Sequence, residues 1–456
     1  MLLRSKAKEV FEVENIISSE MEDLIRRCSE IYEGKPDWID EDEHIKTVNF
    51  AKSICSETAR LATMAIGINV DGSARADWIQ KQINKDYFNI RKWVEYACAV
   101  GTVVLKPDGH SIDMIAPGDF MVTDNQNGEI TGMVFVEREE IDDKYYTRLE
   151  YHRFMEGGVY AVTNKCYVGE RKDDLKEAVS IDRTPWKDML EAVYIENIEK
   201  PLYGVLRTPQ ANNIDIYSPL GMPIFSEAIE ELKDLDIAYS RNAKEIKDSK
   251  RILLLDGDRM MPTGTSIKEQ VSAFNSTREQ MGLPDMVKNV FGDGVNTFYQ
   301  EINPTLNTET RIAGINALLS QIGYKCGFSN GYFVFNESTG IQTATGVEAE
   351  QQRTIQFIKD VRDKLEVCLN DLIYALNVFA DLYKLAPYGP YEVVYDFGDI
   401  TYNREEDRAR WYGYAVQNRI PFWYYLVKFE GMTEEDAKAM VADAQPKQPT
   451  LFGMEE

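Results

Sequence analysis

Hydrophobic residues recur at helical spacing along most of the first part of the chain. From Glu43 to Ile66 and from Asp77 to Tyr96, apolar side chains return every three or four residues, a period that places them on one face of an α-helix. From Gly101 the pattern changes to short runs rich in Val, Ile, Tyr and Thr, separated by turn formers such as Asn127-Gly128. Such runs are typical of hairpins, so the pattern predicts helices followed by an antiparallel sheet over about residues 101–170.

Two helices and a small insertion are predicted in the middle of the chain. Apolar residues from Ile224 to Ile246 predict a helix that begins at Pro223 and runs for about 40 Å. The segment RILLLDGD then indicates a strand and a turn, and residues 251–303 hold scattered apolar patches between Gly-containing breaks. This composition favours a small α/β insertion. A second helix is predicted from about Thr308 to Tyr324.

The longest helical pattern follows Gly346, and its apolar residues recur from Ile355 to Tyr383. Its predicted length of about 55 Å is too great for one compact core without a bend or further partners. A strand, YEVVYDFG, follows it, and the C-terminal region has a helical pattern in which Thr433-x-x-Asp436 resembles a capping box.

Composition and charge limit the possible classes of protein. Of 456 residues, 44% are apolar, which supports a packed core and excludes wholesale disorder; two to four structural units are expected. With 51 basic and 76 acidic residues the net charge is −25. This charge argues against a protein that wraps nucleic acid by neutralising phosphates, but it is compatible with one that lets nucleic acid pass.

The cysteines and the apolar runs indicate the compartment. Six cysteines lie far apart with no C-x-x-C pair, and the N-terminal segment has no apolar core followed by a cleavage site. We therefore expect reduced, isolated thiols in a protein that is intracellular or is assembled inside a cell. No stretch approaches 18 uncharged apolar residues, so no membrane span is expected.

Candidate catalytic chemistry is sparse. There is no P-loop, and three histidines without an H-E-x-x-H motif argue against a histidine-rich metal site. The best enzyme-like pattern is a strand that ends in Asp256-x-Asp258, which can hold Mg²⁺. Because Asp-Gly is also a strong turn former and no second motif supports a site, a simple turn is favoured. A Mg²⁺-dependent enzyme using Asp256 and Asp258 stays as the alternative; otherwise no catalytic residue, metal or cofactor is expected.

Several stretches, in this order along nearly the whole chain, resemble one protein family. They are IYEGKPDW, IAPGDFMVTDNQNGEITGMVFVE, YYTRLEYHRF, QANNIDIYSPLGMPIFSEAIEELKDLDIAYSRNAKEI, RILLLD, GIQTATGVEAEQQRTIQFIKDVRDKLE and YEVVYDFGD. In order and spacing the chain resembles portal proteins of tailed bacteriophages, of the siphovirus type, the head-to-tail connectors. One departure is Gly346, where similar proteins often carry Glu.

The resemblance implies an α+β portal-protein fold with a wing, a stem, a clip and a crown, in which long helices accompany an antiparallel sheet and the subunits form a ring. The implied divisions are the wing (1–222), the first stem helix (223–250), the clip (251–303), the second stem helix (304–327), the tunnel loop (328–345), the long wing helix with its returning strand (346–400) and the crown helices with the tail (401–456).

The resemblance also implies a function without catalysis. A dodecameric ring at one capsid vertex, assembled in the bacterial host cytoplasm and carried in the virion, conducts double-stranded DNA during packaging and ejection without reading its sequence. Its implied partners are further copies of itself, the terminase large subunit, a head-completion or adaptor protein, and the major capsid and scaffolding proteins; no membrane is involved. Another phage structural component, such as a baseplate or capsid protein, is a further alternative.

Three sets of candidate residues follow from this resemblance. The tunnel-loop set, expected to touch the DNA backbone at the narrowest point, comprises Asn336, Ser338, Thr339, Gln342 and Thr343; the alternative is an ordinary surface loop. The stem set comprises Lys244, Lys247, Lys250 and Arg251, which either contact phosphates or complement the helix dipole. The clip set comprises Val271, Phe274, Met281, Leu283 and Val290, which either bind the motor and adaptor or pair neighbouring clips.

Overall fold

The structure is a computed structural model, which describes residues 2–40, 44–107, 111–172, 174–175, 177–248, 252–256, 286–290, 299–302, 307–334, 344–398, 404–417, 419–430 and 432–444. It combines helices with mainly antiparallel sheets, which confirms the predicted α+β class. The chain divides into two compact units: Met1–Gly340 with Glu350–Gly398, and Ile341–Ala349 with Asp399–Glu456.

The N-terminal region is helical, as predicted, but its boundaries differ from the prediction. The helices are α1 (Leu2–Phe11), α2 (Ser19–Tyr32), α3 (Phe50–Ala62), α4 (Ala74–Asp86) and α5 (Ile90–Val100). The helix predicted over Asp77–Tyr96 is interrupted by a 3₁₀ turn at Tyr87–Asn89. The helix predicted over Glu43–Ile66 is shorter, and strand β1 (Ile66–Asp71) follows it.

The strands after Gly101 form two sheets rather than one. They are β2 (Thr102–Pro107), β3 (Ile112–Ile115), β4 (Phe120–Gln126), β5 (Glu129–Ile141), β6 (Lys144–Phe154), β7 (Tyr160–Gly169), β8 (Glu177–Val179), β9 (Ala192–Ile195) and β10 (Gly204–Arg207). Strands β10, β2 and β3 form an antiparallel sheet, and β4 to β8 form a second one in sequence order, with β9 also paired to β7. The predicted antiparallel pairing is confirmed, but β8, β9 and β10 lie beyond the predicted limit of residue 170.

The middle of the chain is a helix, a small sheet and a returning helix. Helix α6 (Ile229–Asp248) begins six residues later than predicted, after a 3₁₀ turn at Ser226–Ala228, so its length is about 30 Å rather than about 40 Å. Strand β11 (Ile252–Asp256) pairs in parallel with β12 (Met286–Val290) and antiparallel with β13 (Tyr299–Ile302). Helix α7 (Thr308–Lys325) lies where it was predicted.

The longest helix is α8 (Ala344–Leu382), which belongs to the first unit from Glu350 onward. Its buried side chains run from Thr354 to Ala380, about 40 Å along the axis. The backbone of β10 approaches it so closely that a Cβ at Gly204 would lie 2.5 Å from the carbonyl oxygen of Cys368. Strand β14 (Glu392–Phe397) then pairs with β1. All six cysteines are buried and free, as expected.

The second unit contains α9 (Arg404–Val416), α10 (Phe422–Glu430) and α11 (Glu434–Ala444). Tyr425 is buried and its ring stacks on Phe429 at 5.4 Å, so this aromatic run forms a local core. The backbone N–H of Asp436 donates to the Thr433 hydroxyl at 3.2 Å, which caps α11 as the sequence predicted.

Candidate functional site

Helices α6 and α7 form an antiparallel pair held by ion pairs near both ends. Lys325 Nζ lies 2.5 Å from Glu231 Oε1, and Arg311 pairs with Glu245. The two ion pairs are separated by fourteen residues on each helix, so the same antiparallel register holds over about 21 Å. Two side-chain links at this spacing fix the register of the pair.

Burial changes sharply along this pair. In the first half of α6, Leu232 and Leu235 are buried. Among the described side chains from Ile237 to Ile246, none is buried. Tyr239 is 49% exposed, Ile246 is 54% exposed and Ala243 between them is also exposed. We call Tyr239, Ala243 and Ile246 the apolar stripe; the spacing of four and three residues places them on one helix face.

Asp236 anchors the buried half of α6. Its carboxylate accepts a hydrogen bond from Trp38 Nε1 at 2.9 Å and from the backbone N–H of Val48 at 2.8 Å. Burial raises the pKa of this carboxyl group, and the two donors oppose that shift. Sequence reasoning assigned no role to Asp236 because it lies in an acidic stretch, whose side chains normally face solvent.

The stem and clip predictions are only partly within the described residues. Lys244 is exposed on α6. Lys247 belongs to the same helix, but its side chain lies outside the described residues, as do Lys250 and Arg251 entirely. Of the clip set, Val290 is the last residue of β12, opposite Asp256 in the parallel register. Val271, Phe274, Met281 and Leu283 lie outside the described residues, so both interpretations of each set stay predictions.

The segment that leads into the predicted tunnel loop is anchored to the core. Tyr332 donates to Glu57 Oε1 at 2.6 Å, and the ring of Phe333 lies 5.2 Å from that of Phe50. Gly327 has φ +96°, and a Cβ there would lie 2.7 Å from the ring of Phe357. The first seven residues assigned to the loop, 328–334, therefore pack against folded elements. The five predicted loop residues, Asn336, Ser338, Thr339, Gln342 and Thr343, lie outside the described residues.

A buried ionic network, which the sequence analysis did not find, joins the two sheets. Glu150 of β6 accepts from Lys106 Nζ of β2 at 2.5 Å, and its other oxygen lies 2.7 Å from His152 Nε2. Arg148 Nη2 lies 3.1 Å from Glu150 and also pairs with Glu137. Tyr160 Oη lies 2.9 Å from His152 Nδ1.

The protonation states of this network follow from its contacts. Burial favours a raised pKa for Glu150, but Lys106, His152 and Arg148 outweigh it and hold this pKa well below its usual value. Burial lowers the pKa of His152, against the opposing contact with Glu150. The backbone N–H of Leu202 donates to Tyr160 Oη. Tyr160 is therefore free to donate to Nδ1, and neutral His152 donates from Nε2 to Glu150.

This network predicts a loss of stability in mild acid. Because folded His152 resists protonation and an unfolded histidine titrates near pH 6.5, the unfolded state gains protons first as the pH falls below about 6.5. Lowering the pH from 7.5 to 5.5 is expected to reduce the free energy of unfolding by up to about 1.4 kcal/mol through this residue. Urea denaturation at both values checks this. A His152→Gln variant is expected to lose less stability over the same interval; an equal loss would contradict the assignment.

The structure describes only one of the two aspartates on which the enzyme alternative depends. Asp256 ends strand β11, whereas Asp258 lies outside the described residues. Within the described parts of the chain, no group of three or more His, Cys, Asp or Glu side chains is placed to hold a metal ion.

Among the described residues, no helix combines the length and apolar character needed to cross a membrane. No protein-family model and no curated protein matches this chain.

Proposed function

We propose that this chain is the subunit of a portal of tailed bacteriophages. Twelve copies form a ring at one capsid vertex, and the ring conducts double-stranded DNA during packaging and ejection. The ring is assembled in the host cytoplasm and remains in the virion. It has no active site of its own and works through its contacts with DNA, the terminase large subunit, a head-completion or adaptor protein, and the capsid and scaffolding proteins.

The observation that carries this proposal is the apolar stripe of α6. Tyr239, Ala243 and Ile246 are exposed in the single chain although their spacing is that of a packed helix face. The register of α6 and α7 is already fixed by ion pairs within the chain. A helix pair of fixed register with an exposed apolar face suits a repeating contact with the next copy, and contacts between unlike faces close into rings.

The charge of the chain supports a conducting channel. At −25 per subunit, a ring repels phosphates over most of its surface, whereas each Lys or Arg contact would add affinity through counterion release. A channel that must pass DNA benefits from weak binding. We propose that α6 and α7 form the stem around this channel, with exposed Lys244 at most a transient phosphate contact.

The contacts of residues 328–334 support the proposed role of the tunnel-loop set in contacting DNA. Residues 328–334, which precede the five predicted loop residues in the chain, are fixed to the core through Tyr332 and Phe333. We propose that Asn336, Ser338, Thr339, Gln342 and Thr343, whose side chains are polar and mostly short, line the narrowest part of the channel and touch the DNA backbone without reading bases.

Substitution of the apolar stripe tests the ring. Tyr239→Asp combined with Ile246→Asp is expected to shift the purified protein from a ring to a monomer, because two carboxylates would be buried at the contact without partners. Light scattering coupled to size exclusion measures the change. Arg241→Gln, an exposed position on the opposite face of α6, is the control and should leave the ring intact. Intact rings in the Asp variant would contradict this role of the stripe.

A further inference from the structure

An exposed phenylalanine lies within a basic stretch of this acidic chain. Phe88, in the 3₁₀ turn between α4 and α5, is 86% exposed. Lys81, Lys85, Arg91 and Lys92 lie within seven residues of it and are all exposed. Residues 81–92 carry four cations and one carboxylate, Asp86, so their net charge is 4 − 1 = +3. We call this surface the basic turn.

The basic turn is held rigidly. Tyr87 donates from its hydroxyl to the carbonyl oxygen of Ile66 at 2.5 Å. Asp86 accepts from the backbone N–H of Ile112 at 3.1 Å and from Asn89 Nδ2 at 2.9 Å. A turn fixed on both sides of Phe88 presents this ring to solvent without further ordering, and preorganised aromatic side chains lose little entropy when they bind.

The tip of the β5–β6 hairpin combines an exposed apolar residue with negative rather than positive charge. Ile141 is 42% exposed, and the flanking Glu139, Glu140, Asp142 and Asp143 are all exposed. Residues 139–144 carry these four carboxylates and one cation, Lys144, so their net charge is 1 − 4 = −3. We call this surface the acidic tip.

The acidic tip is also preorganised. Asp142 and Asp143 have φ +50° and +59°, the left-handed pair found in a two-residue type I′ turn. Ile141 and Lys144 close the ladder of the hairpin directly beside that turn. The tip therefore keeps its shape before it meets a partner.

We propose that the basic turn of one copy binds the acidic tip of the next copy, with Phe88 against Ile141 and the cations around the carboxylates. This inference rests on the proposed ring. Each surface has one exposed apolar residue with four like charges near it in the sequence. The net charges of the two surfaces are equal and opposite, and the two surfaces differ, as a head-to-tail contact requires. Four cations around an aromatic ring also suit nucleic acid, but only the second-copy occupant explains the matching acidic tip.

Cysteine cross-linking tests the proposal directly. All six native cysteines are buried, so new surface thiols dominate the reaction. Mixing Phe88→Cys protein with Ile141→Cys protein under mild oxidation should give a covalent dimer, and the double variant should give a ladder of covalent multimers on a denaturing gel. Phe88→Cys paired with Tyr217→Cys, which is 85% exposed elsewhere on the chain, is the control and should not cross-link.

Charge reversal provides an independent test. Lys81→Glu with Lys92→Glu should raise the concentration needed for half-assembly about tenfold, because like charges then face each other. Adding Glu139→Lys and Asp142→Lys in the same chain should restore assembly. Raising the salt concentration should weaken assembly of the unaltered chain more than that of the Lys81→Glu/Lys92→Glu variant.

These experiments separate a failure of this contact from a failure of the proposed ring. Rings without a covalent ladder would overturn this contact and leave the portal proposal standing, whereas a monomer without cross-links would overturn both. A double variant that cross-links within one chain would also overturn the contact. If the Lys81→Glu/Lys92→Glu variant assembles normally but loses affinity for a fluorescent DNA duplex, the basic turn is a nucleic-acid surface and the proposal is wrong.

Discussion

Replacing Glu150 with Gln is expected to lower the free energy of unfolding by about 3–5 kcal/mol. The carboxylate is buried and is the shared acceptor of Lys106, Arg148 and His152. Its neutral amide would leave Lys106 without a counter-charge and Arg148 with only Glu137, and burying uncompensated charge is among the most destabilising changes in proteins. Since Lys106 belongs to one sheet and Glu150 to the other, the junction between the sheets would be the part that weakens.

Chemical denaturation of Glu150→Gln against the unaltered chain measures this effect. Glu156→Gln, an exposed position in the adjoining β6–β7 turn, is the matched control and should change stability by less than about 0.5 kcal/mol. Replacing the cluster together, with Lys106→Met, Arg148→Met and Glu150→Leu, should recover most of the loss because no buried charge remains. A single Glu150→Gln variant as stable as the control would show that the network contributes little.

Replacing Arg75 with Met is expected to cost about 3 kcal/mol or more. The guanidinium, only 1% exposed, donates from Nη1 to both Asn377 oxygens, from Nη2 to Asp381 and the Ala386 carbonyl, and from Nε to the Pro387 carbonyl. These five hydrogen bonds tie the start of α4 to the end of α8. Without them, three backbone carbonyl groups lose a donor.

Thermal and urea unfolding of Arg75→Met check this expectation. The stability of Arg75→Lys should lie between that of the unaltered chain and that of Arg75→Met, because an ammonium keeps the charge but lacks the planar fork of donors. Arg26→Met removes an exposed arginine that pairs with Asp23 and Glu30, and such solvent-screened pairs contribute little to stability. Equal losses from Arg75→Met and Arg26→Met would contradict the structural role given to Arg75.

Elements with strong local patterns were predictable from the sequence. Helix α7, the body of α8 and strand β14 occur where apolar spacing places them. The break at Tyr87 was missed because it depends on tertiary contacts, namely Tyr87 to Ile66 and Asp86 to Ile112. Contacts between distant residues leave no periodic signal in the chain.

The ionic network shows a different limit. Arg148, Glu150 and His152 alternate along β6 as a solvent-facing strand would, and alternation normally assigns such residues to water. They are buried because both faces of this strand are covered: residues 147–152 are all buried. Part of the compensating charge comes from Lys106 on a second sheet, and no spacing rule within β6 encodes that contact.

For the candidate site, the sequence predicted the helix pair but not the ion pairs that fix its register. Helices α6 and α7 follow from periodicity, whereas the links Glu231–Lys325 and Glu245–Arg311 require the antiparallel register. The loop residues Asn336 to Thr343 and most of the clip set lie outside the described residues, so their roles stay predictions.

Electron microscopy of the purified protein tests the central claim most directly. We expect end-on views of a closed ring of identical subunits, twelvefold in assembled particles, with an axial opening wide enough for duplex DNA, and maps in which α6 of each copy packs through Tyr239 and Ile246 against its neighbour. A population of single chains at all concentrations, or a ring whose opening is lined mainly by lysine and arginine, would contradict it.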